Sequence, residues 1–223
     1  TTFYGKVTLR AGGGRFDPQG NTFTITAFIG GPGFLRVKAA NPIQNGGTLI
    51  FSGYNTYTGG TIIDAADTVR LSGIGSLGDT NGSLTFSNSA GNGYGSLDIN
   101  GLDLGVGNLS GTGGKIYNSY TNPGTLIIGN GDATDGIFQG SISGGAGGIE
   151  LIKTGAGIIS LARNTNFIGG GLTVAGGALV VSNALLVVSN YLAIASVGNV
   201  NAGTTIATLD LSAATNFTAN VDT

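Results

Sequence analysis

Polar and apolar residues alternate in short runs along most of the chain. Thr22-Phe23-Thr24-Ile25-Thr26, Gly47-Thr48-Leu49-Ile50-Phe51-Ser52 and Ser83-Leu84-Thr85-Phe86-Ser87 keep the two-residue period of a strand with one face turned inward. Thr125-Leu126-Ile127-Ile128 and Leu179-Val180-Val181 are continuous apolar runs of strand length, and no segment shows the 3.6-residue period of a helix. Between the runs stand Gly-Gly, Asn-Gly, Gly-Asn and Asp-Gly pairs, residues that accept positive φ in tight turns. Strands recur about every 8–12 residues, a spacing common to sandwiches, barrels and solenoids.

Internal repetition selects among the three. Residues 47–71 (GTLIFSGYNTYTGGTIIDAADTVRL) lie without gaps over residues 157–181 (GIISLARNTNFIGGGLTVAGGALVV). Gly47/Gly157, Gly59/Gly169, Gly60/Gly170 and Ala65/Ala175 are identical, and Leu49/Ile159, Phe51/Leu161, Tyr57/Phe167, Ile62/Leu172 and Val69/Leu179 keep apolar character. Upstream, residues 30–38 match 145–153 more loosely, with an insertion at residues 39–44 of the first copy. A repeat with one apolar face cannot bury that face alone and must stack on its neighbours. The expected fold is therefore an all-β β-solenoid rather than a sandwich. It forms one domain over residues 1–223, with repeat copies at about 30–71 and 145–181 and less regular terminal coils over 184–223. At roughly 20–25 residues per coil it makes around ten coils, stacked about 4.8 Å apart.

The same segments resemble the autotransporter-associated β-strand repeat. Residues 97–116, 124–131 and 137–183 carry the likeness, as does 47–63 with its hexapeptide Asn55-Thr56-Tyr57-Thr58-Gly59-Gly60. The junction Lys153-Thr154-Gly155-Ala156-Gly157 is equally typical, while Asn164-Thr165-Asn166-Phe167-Ile168-Gly169 is a degenerate hexapeptide. The resemblance covers roughly residues 16–183. It implies a right-handed parallel β-helix exported across the outer membrane, often serving as a stalk or adhesin.

Composition narrows the chemistry. Gly supplies 44 of 223 residues, charged residues only 9%, and mean hydropathy is +0.27. Four prolines without period exclude collagen, and the apolar content excludes charge-driven disorder. With no Cys and no His, Cys/His zinc sites, Ser-His-Asp or Cys-His triads and His- or Cys-ligated haem are excluded. A net charge of −2 offers no footprint for nucleic acid. No apolar run reaches the roughly 18 residues of a spanning helix, so no membrane insertion is expected of this segment. The opening Thr1-Thr2-Phe3 reads as the start of a processed or excised segment.

Candidate sites are few. Asp132 and Asp135 in the turn 129–136 are oxygen ligands of the kind Ca²⁺ uses, but the turn has neither calcium β-roll nor EF-hand spacing, so a polar loop is expected. Asp64/Asp67 and Asp98/Asp103 are the pairs a glycosidase would need, with only Arg70 nearby in sequence; solvated loop carboxylates are the simpler expectation. Tyr54, Tyr117 and Tyr120 are possible ligand-contact aromatics, whereas Tyr57, matched by Phe167, is expected inside. Lys38 and Lys153 are expected to face solvent and discourage edge pairing. The terminal segments Thr2-Phe3-Tyr4-Gly5-Lys6-Val7-Thr8-Leu9 and Thr205-Ile206-Ala207-Thr208-Leu209-Asp210-Leu211 carry one charge each, so end-to-end self-association is expected. The overall expectation is a secreted, non-catalytic bacterial surface element without cofactor, facing a host-surface or polysaccharide ligand. The alternatives are a fibre subunit and a β-helix enzyme acting on polysaccharide.

Overall fold

A computed structural model describes residues 1–38, 46–64, 66–88, 93–131, 134–145, 147–194 and 206–221. Among these residues the chain forms strands and no helix, and the strands pair in parallel throughout. The chain winds round three faces in a fixed order. The first face is a ten-stranded sheet running from Thr2–Phe3 to Asn216–Val221, and the third is a nine-stranded sheet running from Gly14–Phe16 to Ala207–Ala213. The second face begins with Val7–Thr8 and Ile29–Gly30 and resumes with five strands from Leu104–Val106 to Leu192–Ile194. Residues 55–58 and 77–80 bridge the gap: Thr56 N–H donates to the Ile29 carbonyl at 2.9 Å, Thr58 N–H to Gly31 at 3.0 Å, and Asp79 N–H to Tyr57 at 2.9 Å. This is the parallel β-helix expected, joined by crossovers that are right-handed in about 98% of parallel pairs.

Alternation within each strand sends every second side chain into the prism, where equivalent positions form ladders. Leu49, Val69, Leu97, Ile116 and Ile142 stack on the first face, and Leu104, Leu126, Leu151 and Leu172 on the second; all are buried. On the third, Phe86, Gly111, Phe138, Leu161 and Val181 follow one another. Gly111 leaves its rung empty, and the Phe86 and Phe138 rings meet across it with centroids 5.4 Å apart. Backbone bonding between coils and these ladders need little charge, which accounts for a charged content of 9%.

Coil length is more variable than 20–25 residues. The step from Leu97 to Ile116 takes 19 residues and that from Leu186 to Phe217 takes 31. The longer steps include residues 39–45, 89–92 and 195–205, which lie outside the described residues.

The two repeat copies occupy different faces. Thr48–Phe51 lies on the first face, but its counterpart Ile158–Ala162 lies on the third; Thr61–Asp64 lies on the third and Gly171–Val174 on the second. The second copy is thus rotated by one face about the helix axis. Three similar faces with similar corners accept the same sequence unit in more than one phase.

The gapless alignment also fails in its middle. Leu49/Ile159 and Phe51/Leu161 are all buried as expected, yet Tyr57 is buried while Phe167 is 51% exposed. Ile62 is half-buried on the outer side, whereas Leu172 is buried. One extra residue among 162–165 of the second copy shifts the correspondence to Asn55/Asn166, Tyr57/Ile168 and Ile63/Val174, each pair buried. The shift makes Gly60 the equivalent of Gly171, and both have positive φ, +80° and +112°. A Cβ at these corners would strike Ser83 and the Tyr191 ring at 2.4 Å in each case. Register then returns between Ala175 and Leu179. A slip of one residue exchanges inside for outside, because the side-chain period is two.

Tyr57 fills its corner with a polar tip. Its hydroxyl lies 2.6 Å from Thr61 Oγ1, both side chains are buried, and burial pushes the phenol well above its ordinary pKa. Tyr57→Phe is expected to lower unfolding free energy by about 1–2 kcal/mol, since the Thr61 hydroxyl loses its partner; urea denaturation at neutral pH measures it.

Candidate functional site

The outer surface is where a ligand would be met, and the structure places the candidate residues unequally upon it. Tyr54 and Tyr120, 60% and 50% exposed, both project from the corner between the first and second faces. Ile74, 71% exposed, comes from the same corner one coil after Tyr54. Tyr54 and Ile74 line a cleft of about 240 Å³ together with Gly73, Gly75, Gly105 and Asp103. Tyr120 is set by its own backbone: its N–H donates to Asn118 Oδ1 at 3.0 Å, and its ring lies against Gly101, where a Cβ would come within 2.8 Å. Tyr117 stands apart from these two. It lies half-buried on the first face, paired in register with Asp98, and the Lys115 ammonium sits 4.7 Å from its ring centre. Burial raises the Tyr117 phenol pKa, the Asp98 charge adds to this, and Arg70 opposes it.

The expected solvated carboxylates are corrected by the structure. Asp64 and Asp67 are fully buried and Asp98 is 2% exposed; Asp103 alone of the four is exposed. Parallel stacking explains it, because basic side chains distant in sequence arrive from the preceding coil. Asp64 receives Arg36 through both Nε, at 3.1 Å, and Nη2, with Lys38 Nζ at 3.9 Å. Asp67 accepts the Gly47 N–H at 3.0 Å. Asp98 forms an ion pair with Arg70, whose Nε lies 3.0 Å from Oδ2, and accepts hydrogen bonds from the N–H groups of Asn100 and Ser119 at 3.0 Å each and from the Ser119 hydroxyl at 2.6 Å. Arg70 then reaches the same Ser119 hydroxyl at 2.7 Å. These carboxylates hold corners together and are closed to a solute. Asp103 accepts the Thr125 N–H at 3.1 Å across one coil.

Asp135 is exposed and accepts the Ile158 N–H at 2.8 Å, so one oxygen is committed to the next coil. Asp132 lies outside the described residues, among which no three acidic side chains gather to hold a metal ion.

Lys153 is the largest departure from expectation. It is fully buried on the inner side of the second face, between Ile128 and Val174. Its ammonium donates to the carbonyls of Thr154, Gly155 at 3.1 Å and Gly176 at 3.0 Å. Three orphan carbonyls where the chain turns from one face to the next supply the reason for a buried cation. Lys38, in contrast, is half-buried on the outward side, so the two lysines are not structural equivalents. Asn55 and Asn166 share a role that residue type alone had not revealed: each side-chain oxygen accepts a buried N–H from the preceding coil, that of Ile29 or Ile142, at 3.0 Å. Asn55 heads its hexapeptide, but Asn166 is the third residue of the degenerate one, so the matching role shows only after the one-residue shift.

A coil stack with turn-rich corners, buried asparagines and internally paired charges defines a β-solenoid built from repeated units. Residues 44–71 and 151–181 match the Passenger-associated-transport-repeat family, and the chain carries two copies of that repeat. Over 153 residues it is 31% identical to the Adhesin BmaC autotransporter of Brucella suis biovar 1 (strain 1330). That match takes in 69% of this chain and 4% of the relative's length, so the chain corresponds to a small part of that protein. No solved structure matches the chain.

Proposed function

We propose that this chain is part of a secreted bacterial surface passenger and serves adhesion without catalysis. The repeat family and the likeness to an autotransporter adhesin support the reading. The observation that carries it is the division of the molecule into a closed interior and an outer corner bearing Tyr54, Ile74 and Tyr120. Exposed aromatic and aliphatic side chains on a rigid frame are suited to contact a partner, because little conformational entropy is lost on binding. The buried, ion-paired Asp64 and Asp98 argue against a hydrolytic pair.

The test coats inert beads with the purified chain and counts attachment to cultured epithelial cells and to extracellular-matrix films. Attachment above that of albumin-coated beads is expected, with at least a severalfold loss in the Tyr54→Ser, Tyr120→Ser double variant. Attachment equal to albumin on every surface overturns the reading.

A further inference from the structure

A larger cleft, of about 650 Å³, opens on the outer side of the third face, away from the three tyrosines singled out by sequence. The volume falls within the roughly 300–1,000 Å³ of small-molecule sites. Three successive coils build it. Thr85, Ser87 and Asn88 come from the end of strand Leu84–Ser87 and the residue after it. Thr112 follows strand Leu109–Gly111, and Ile137 and Gln139 come from and follow strand Gly136–Phe138.

Tyr94 forms a further wall. A Cβ at Gly113 would come within 2.5 Å of the Tyr94 ring, so the absence of a side chain there is what seats the ring. The ring remains 38% exposed, and Ile137, also lining the cleft, is 57% exposed. The second observation is Asn88 Oδ1, a buried oxygen without a hydrogen-bond partner. Buried acceptors are paired in the great majority of cases; this oxygen is turned away from solvent, but Asn88 is half-buried and lines the cleft, so a rotation of its side chain presents the oxygen to a donor from outside the chain. Every described side chain lining the cleft is uncharged.

The geometry points to a binding site for a neutral oligosaccharide, with Asn88 Oδ1 accepting a sugar hydroxyl while a sugar C–H face rests on Tyr94 and Ile137. Ser87, Thr112 and Gln139 supply further hydroxyl and amide partners at the rim. A charged ligand finds no counter-charge here, and a purely apolar one leaves Asn88 unpaired. An extended peptide adding as a strand needs an open sheet edge, whereas Leu84–Ser87 is paired on both sides, with Thr61–Asp64 and Leu109–Gly111. The site deepens the adhesive reading above and rests on it for its setting.

The experiment applies the purified chain to a panel of immobilised glucans, mannans, galactans and N-acetylglucosamine oligomers, with sialylated and sulfated glycans as the charged arm. The tightest neutral binder is then titrated calorimetrically. Asn88→Ala and Tyr94→Ala are each expected to weaken it by about tenfold or more, through loss of the acceptor or of the stacking surface. Ile137→Arg should abolish binding, and Phe167→Arg, at an exposed position on the first face, should leave it unchanged. Circular dichroism and melting curves check folding; if either cleft truncation unfolds, Ile137→Arg, at an exposed position, decides. Retention of no neutral glycan, retention of charged glycans alone, or undiminished binding by Ile137→Arg overturns the site. Bead attachment that persists in Ile137→Arg keeps the adhesive reading while removing the saccharide site from it. Glycan binding without bead attachment does the reverse.

Discussion

Leu161→Asp is expected to prevent the chain from reaching its folded state. Leu161 is fully buried on the inner side of the third face, in register with Phe138 before it and Val181 after it. An aspartate there would place a carboxylate in an aliphatic ladder, with no basic residue among its in-register neighbours. Leaving a charge unpaired in such a place, added to the loss of the leucine's own burial, costs about 5 kcal/mol or more, comparable to the whole stability of many domains. The damage reaches beyond one coil, because each coil is a template for the next and buries its apolar face only against neighbours. Loss of the β-sheet circular dichroism signal, or a urea midpoint near zero, is the expected result. A soluble variant with the unfolding midpoint of the unaltered chain would show that the inward assignment of residues 159 and 161 is wrong.

Lys153→Met is expected to destabilise the protein by about 2–4 kcal/mol, although it replaces a buried charge with an apolar side chain of similar length. Such replacements are often neutral when both partners of a buried pair are exchanged together. Here the partners are the carbonyls of Thr154, Gly155 and Gly176, which belong to the backbone and stay behind unpaired. Urea denaturation of Lys153→Met beside Lys115→Met separates this from a general effect of losing a lysine. Lys115 is exposed and covers Tyr117, so its loss is expected to cost only about 0.5 kcal/mol. Equal midpoints for the two variants would mean that the buried ammonium does not sustain that turn.

The facing of both Lys38 and Lys153 is legible in the alternation of their strands, and charge alone does not set it. In Ile149-Glu150-Leu151-Ile152-Lys153 the two-residue period that puts Ile149 and Leu151 inside puts Lys153 inside as well. The buried carboxylates are different. Asp98 stands on the outward-facing side of its strand and is covered only because Arg70, Tyr117 and Ser119 close over it from adjacent coils. No window around Asp98 contains Arg70, which lies one coil away. The cleft on the third face has the same character, since Asn88, Thr112 and Gln139 meet only when three coils are stacked. Tyr54 and Tyr120 were identifiable as aromatics beside turns, but their position on one corner depends on the coil lengths between them.

Strand identity, the inward positions at Leu49, Phe51, Ile159 and Leu161, the solenoid class and the passenger-type repeats were all determined by the sequence by itself. Each depends on the alternation of a few neighbouring residues or on a recurring pattern of glycine and apolar positions. The tertiary structure alone decided that the second repeat is turned by one face, that Tyr57 corresponds to Ile168, and which basic side chain meets which carboxylate. These outcomes depend on register between segments 19 to 31 residues apart. Within such a step one inserted residue, absorbed at a corner at little local cost, reverses the facing of every side chain until register returns.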